Sequence, residues 1–133
     1  MEMKVYFPGG KKVNAVYNGF TIETDQAKEE GGEASAPEPY GLFLASIGTC
    51  AGIYVVHFCQ ERGIDTSDIR MTLEFVRNEK KHLTEAVHIH IDLPPDFPPK
   101  YKAAVVKTAG LCTVKRNILD PPEFTVAADI REK

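Results

Sequence analysis

Three cysteines occur in the chain, and two of them stand in settings that suit thiol chemistry. Cys50 lies inside the apolar run Leu42-Phe43-Leu44-Ala45-Ser46-Ile47-Gly48-Thr49-Cys50-Ala51-Gly52. On a helix, its same-face neighbours are Ser46, Ile47, Ile53, Tyr54 and His57. An apolar wall with a few hydroxyls fits a thiol that must meet an apolar substrate. The same wall also fits a small buried hydrophobe, since burial without a cation raises a thiol's pKa and makes it inert. Cys112 follows Gly110-Leu111 and opens the run Cys112-Thr113-Val114-Lys115-Arg116-Asn117-Ile118. At a helix start, unpaired backbone N–H groups favour a thiolate, and Lys115 and Arg116 would add to that. If the helix starts a residue or two later, Cys112 is simply buried. Cys59 is nine residues from Cys50 and faces the other way around a helix, so it reads as structural.

Other chemistries find little support. His57 lies two turns from Cys50, about 10 Å along the axis, too far to activate it directly. His88 and His90 share a strand face, but no close Cys or His pair of the kind zinc prefers accompanies them, so no metal is expected. Gly9-Gly10 precedes a strand, not a helix, so it is not a phosphate loop. Ser46 falls mid-helix, away from any nucleophile elbow.

The elements that would position these thiols follow from periodicity. Residues 4–7, 13–17 and 20–24 read as an antiparallel meander, with Asn18-Gly19 as the hairpin turn. Residues 25–38 are acidic, rich in Gly and Ala and without apolar period, so they read as a mobile loop, either linker or lid. A long helix is expected over 39–62, with Pro39 in its first turn and Gly63 at its stop. Gly41, Ala45, Gly48 and Gly52 form a stripe of small residues along it, at spacings of four, three and four. Such a stripe admits close approach, either for packing alone or to crowd a site around Cys50. Residues 69–77 and 83–93 alternate and form a hairpin, with Leu83, Val87, Ile89, Ile91 and Leu93 expected inward. Helices over 100–109 and 112–119 and a closing strand from Phe124 to Ile130 complete the chain. The class is α+β, helices packed on an antiparallel sheet, as a single domain over 1–133.

Composition bounds the partners. The 133 residues carry a net charge of −3, so no basic field draws nucleic acid. To the eye, no apolar run reaches the ~18 residues that a membrane span needs, so no membrane partner is expected. Met1 opens straight into a strand-like run, so no leader is expected and the cytoplasm is the expected compartment. There the thiols stay reduced by default, and a disulfide would be transient or catalytic.

The segment Ala36-Pro37-Glu38-Pro39-Tyr40-Gly41-Leu42-Phe43-Leu44-Ala45-Ser46-Ile47-Gly48-Thr49-Cys50 resembles the first-cysteine segment of the osmotically induced protein C (OsmC)/organic hydroperoxide resistance family. Leu111-Cys112-Thr113-Val114-Lys115-Arg116-Asn117-Ile118 resembles its second. The resemblance extends in element order over nearly the whole chain and lies with the broad OsmC-like branch. It implies antiparallel sheets around a long central helix, an intertwined homodimer and a site at the subunit interface. It also implies that Cys50 corresponds to the peroxidatic cysteine of a thiol-dependent peroxidase acting on organic hydroperoxides, and Cys112 to the resolving one. No cofactor is implied beyond an external thiol or dithiol reductant. Tyr40, Phe43, Ser46, Ile47 and Tyr54 are the candidate substrate contacts. Family members activate the first cysteine with an arginine from the N-terminal sheet, held by a glutamate. Here no arginine precedes Arg62. Lys11, Lys12 and Glu38 are the possible activating residues in its place. The alternative is a non-peroxidatic member that binds a small apolar or thiol ligand at the dimer interface.

Overall fold

A computed structural model describes residues 1–133. The chain is mixed α and antiparallel β, and it divides into two units, Met1–Ser46 and Ile47–Lys133.

The first unit holds strands β1 (Lys4–Gly9), β2 (Lys12–Tyr17) and β3 (Phe20–Ile22). They form one antiparallel sheet in the order β1-β2-β3. The β2–β3 turn is the expected Asn18-Gly19, with φ of 49° and 80°, the left-handed pair that a tight hairpin needs. Tyr17 pairs with Phe20 across it.

Residues 25–38 are the expected loop, apart from one 3-10 turn at Lys28–Glu30, but a buried carboxylate ties the loop down. Asp25 is buried, and its carboxylate accepts the backbone N–H of Gln26 at 2.8 Å, of Glu33 at 3.3 Å and of Ser35 at 3.1 Å. The Ser35 hydroxyl donates to it as well. These bonds, led by the Ser35 hydroxyl, hold Asp25 at a pKa of about 2, below the usual carboxylate value. Gly32 closes the loop where nothing larger fits: a Cβ there would lie 2.1 Å from the Gln26 carbonyl oxygen. Composition hid this because a single buried carboxylate, not an apolar period, organises the segment.

Helix α1 (Pro39–Gln60) begins in the first unit and continues through the second. Its buried side chains are Ile47, Ala51, Val55, Phe58 and Cys59, at the three- and four-residue spacings of one face. The small-residue stripe serves packing. A Cβ on Gly48 would lie 3.2 Å from Leu73 Cδ1, and one on Gly52 would lie 3.8 Å from Met71 Sδ. At Gly41 the space is open. Against the sequence reading, α1 is long and apolar enough to cross a membrane by length and composition, with a mean hydropathy of 1.8 over an 18-residue window. Polar but uncharged residues within the run, such as Ser46 and Thr49, interrupt it to the eye without lowering that mean below a span's.

Strands β4 (Arg70–Asn78) and β5 (Leu83–Asp92) form the expected hairpin, with Arg70 opposite Asp92 and Phe75 opposite Val87. The register shifts between Val76 and Arg77. Leu83 and Ile89, expected inward, are exposed. Helix α2 (Lys102–Ala109) and helix α3 (Thr113–Leu119) follow. The core of this unit joins Ala51, Val55, Phe58 and Cys59 to Phe97, Val105, Ala109 and Cys112. The proline-rich break therefore contributes a core residue, Phe97. The closing strand is absent: residues 121–133 form no strand, and Phe124, Val126 and Ile130 are 83%, 98% and 100% exposed.

Candidate functional site

Cys50 sits half-buried on α1, and the start of α3 meets its sulfur. The backbone N–H of Val114 and that of Thr113 donate to it, as does the thiol of Cys112. The positive charge of Arg116 adds to these. Together, with the Val114 N–H foremost, they lower the Cys50 pKa below the ordinary thiol value, against the opposing effect of burial.

Cys112 is the N-cap of α3, not its first helical residue. Its Sγ accepts the Lys115 backbone N–H at 3.3 Å. It is 2% exposed, and burial raises its pKa, as does the proton it shares toward Cys50. The two cysteines thus divide their tasks. Residue types leave Cys112 either a stabilised thiolate at a helix start or, if the helix starts later, a buried thiol, and α3 starts at Thr113 with Cys112 buried. The fold turns the first two N–H groups of α3 toward Cys50 instead. The result is a partly accessible thiol biased to thiolate and hydrogen-bonded to a buried thiol that keeps its proton.

Beside this pair lies a polar triangle. Tyr54, one turn along α1 from Cys50, places its Oη 3.0 Å from Thr113 Oγ1. Arg116 Nη2 donates to Thr113 Oγ1 at 3.1 Å and to Tyr54 Oη at 3.4 Å. On the Cys112 side, a cleft of about 520 Å³ is lined by Ile47, Ile91, Val106, Ile118 and Cys112, with Lys102 and Lys115 also on its wall. Cys59 is buried, its pKa raised by that burial, in keeping with an inert core thiol.

Of the residues singled out in the sequence, Cys50, Cys112, Ile47 and Tyr54 belong to the second unit. Ile47 walls the cleft, and Tyr54 reaches α3. Lys11, Lys12, Glu38, Tyr40, Phe43 and Ser46 belong to the first. There Tyr40 and Phe43 stack with ring centroids 5.6 Å apart, and the Ser46 hydroxyl donates to the Phe43 carbonyl at 2.6 Å. Lys12 pairs with Glu33 at 2.9 Å, which raises its pKa. Lys11 lines a hollow of about 170 Å³ with Lys12, Asp25 and Glu33. The Glu38 carbonyl accepts the Leu42 N–H at 3.2 Å as α1 begins. Sequence reasoning assigned Arg116 to Cys112 and so missed its reach to Cys50. The only available signal was a cation four residues after the second cysteine.

Comparison with known proteins gives a consistent result. A family model described as OsmC-like protein matches residues 31–127. The structure is similar to an osmotic stress induced and detoxification response protein of Psychrobacter arcticus, with a TM-score of 0.74 and 21% identity over 86% of this chain and 85% of the other. It is similar to an OsmC-like protein of Mycoplasma pneumoniae, with a TM-score of 0.69 and 13% identity over 90% and 87%. An organic hydroperoxide resistance protein OsmC of Legionella pneumophila aligns with a TM-score of 0.56 and 22% identity over 88% and 87%. Among curated proteins, none matches the sequence at a significant level.

Proposed function

The chain belongs to the OsmC-like protein family, and from that premise we propose that it is a thiol-dependent peroxidase reducing organic hydroperoxides through Cys50 and Cys112. The observation that carries this reading is the hydrogen-bonded pair in which Cys50 is biased to thiolate and Cys112 to thiol. A relative in fold from Legionella pneumophila bears the name of organic hydroperoxide resistance, which agrees with a role in oxidative stress.

The Cys50 thiolate attacks the distal oxygen of R–O–OH. The O–O bond breaks, Cys50 becomes a sulfenic acid, and the alkoxide takes a proton to leave as the alcohol. Sulfur loses two electrons and the peroxide gains them. The Cys112 thiol then attacks the Cys50 sulfur, a disulfide forms and water leaves. An external thiol or dithiol reduces that disulfide and is itself oxidised. Ile47 and Tyr54 supply apolar and hydroxyl contacts for the substrate's organic group. The chain acts as one functional domain, in the cytoplasm, where reduced thiols are maintained.

The working form is an intertwined homodimer around the long helix. Its support is uncovered apolar surface. The chain exposes 10777 Å², about half as much again as the roughly 6,900 Å² expected of a folded monomer of its mass. Phe7 and Phe20 on the first sheet, Ile53 on α1, and Phe124, Val126 and Ile130 in the terminal segment are all exposed. A second copy covers them, and the alternating apolar residues 124–130 then act as a strand added to the partner.

Reduced protein titrated with sub-stoichiometric cumene hydroperoxide and mapped under non-reducing conditions should yield a Cys50–Cys112 disulfide. Cys112→Ser should stop at a Cys50 sulfenic acid that dimedone traps. Recovery of both thiols unchanged would falsify the peroxidase reading. The apolar cleft beside Cys112 favours one second reading, a protein that binds a small apolar or thiol ligand without peroxide chemistry. On that reading, Cys50→Ser leaves ligand binding intact.

A further inference from the structure

The start of α3, which meets Cys50, carries a cation of its own, Arg116. The geometry points to Arg116: resting on the thiol reading above, we propose that Arg116 is a positioning residue that adds to the N–H groups of α3 in supporting the Cys50 thiolate, its guanidinium fixed by the Tyr54 and Thr113 hydroxyls.

The argument is one of anchoring. Thr113 touches both partners, since its backbone N–H donates to the Cys50 sulfur while its Oγ1 accepts from Arg116 Nη2 at 3.1 Å. Tyr54 approaches from the other side, four residues after Cys50 on the same helix, and accepts from the same nitrogen at 3.4 Å. Tyr54 Oη and Thr113 Oγ1 are themselves 3.0 Å apart, so the triangle is closed. The guanidinium is therefore tied to both elements that flank the sulfur, α1 and α3. A long side chain held at two points loses much of the freedom that makes most exposed charges ineffective.

No carboxylate pairs with Arg116, whereas Lys12, Arg62 and Arg77 each have one. Its charge is thus free to act on the sulfur. The neighbouring cation does not compete, because Lys115 Nζ donates to the Gly110 carbonyl at 3.3 Å. The groups that bear on Cys50 are then Cys112 and Arg116, together with the N–H groups of Thr113 and Val114. Cys112, the one other titrating group, keeps its proton.

The test uses the full-length protein and the variants R116Q, R116K and Y54F. Cys50 alkylation by iodoacetamide is followed by peptide mass across pH, and peroxide consumption is measured in parallel. R116Q should alkylate Cys50 about threefold more slowly at neutral pH, with its profile displaced to higher pH. R116K should recover part of the loss, since it keeps the charge without the fork. Y54F should shift the profile the same way by less, because the Thr113 bond remains. Complete Cys50–Cys112 disulfide formation with diamide in every variant reports an intact site. An R116Q profile that superimposes on the wild type overturns the proposal. Alkylation needs no peroxide, so the two readings fail separately. A displaced R116Q profile in a protein that leaves cumene hydroperoxide untouched keeps the role of Arg116 and sinks the peroxidase.

Discussion

Gly48 is where the helix bearing Cys50 meets strand β4, and substituting it measures how tightly that contact fixes the thiol. A Cβ on Gly48 would stand 3.2 Å from Leu73 Cδ1 and 3.4 Å from Cδ2. Ordinary carbon contacts lie at roughly 3.5–4.0 Å, so alanine needs Leu73 to withdraw by a few tenths of an ångström. Leu73 is only half-buried, and the atoms that meet the new methyl are the free ends of its side chain. A displaced rotamer costs about 0.5–1.5 kcal/mol. Alanine gains about 1 kcal/mol over glycine in helix propensity. The two nearly cancel, and Gly48→Ala should melt within about 0.5 kcal/mol of the wild type, which is about 2 °C for a chain of this length. Valine adds two further methyl groups at the same contact. Overpacking of that kind costs about 1–3 kcal/mol, and Gly48→Val should melt about 4–11 °C lower. Calorimetry at matched protein concentration reads both values. If Gly48→Val melts with the wild type, α1 and β4 do not meet at this point and the packing account of the small-residue stripe is wrong.

Four further outcomes follow from other parts of the molecule. Under limiting iodoacetamide at neutral pH, Cys50 should be modified first, Cys112 more slowly and Cys59 last, because Cys50 is half-exposed and biased to thiolate while burial raises the other two; peptide mass mapping reads the order, and modification of Cys112 ahead of Cys50 refutes the division of tasks. Asp25→Asn should loosen residues 25–38 and speed their cleavage in limited proteolysis, since an amide cannot accept all four bonds. The Asp25 pKa falls from 3.8 unfolded to about 2 folded, so the carboxylate's contribution is complete above the unfolded value and is lost as pH falls through about 2. The wild-type loop should therefore open on acidification in that window, while the loop of the Asp25→Asn variant shows no such step. Sedimentation at micromolar concentration should return twice the 14.7 kDa chain mass, and deletion of residues 121–133 should weaken the assembly; a stable monomer at that concentration contradicts the covered-surface account.

Local signals in the sequence were read correctly wherever a short-range rule decides the outcome. Asn18-Gly19 makes its hairpin turn because those residues tolerate positive φ. Gly63, at φ +66°, follows the end of α1 for the same reason. The β4–β5 hairpin follows from alternation. The two cysteine segments, taken together, were enough to indicate the family that the matching model identifies.

What failed depended on partners distant in sequence. Asp25 orders residues 25–38 through bonds to Glu33 and Ser35, and no window of apolar periodicity registers a carboxylate caging a loop. The strand expected from Phe124 to Ile130 has the right alternation but pairs with none of the open edges of the chain's two sheets, and a strand exists only where another accepts its hydrogen bonds. The thiols make the same point for function. Residue types and spacing determined that Cys50 lies on a long helix and Cys112 at the mouth of a short one. Which of them is biased to thiolate was decided by where the N–H groups of Thr113 and Val114 and the charge of Arg116 point, across more than sixty residues of chain. Thiol ionisation answers to the dipoles and charges within a few ångströms, and only the tertiary structure sets which those are.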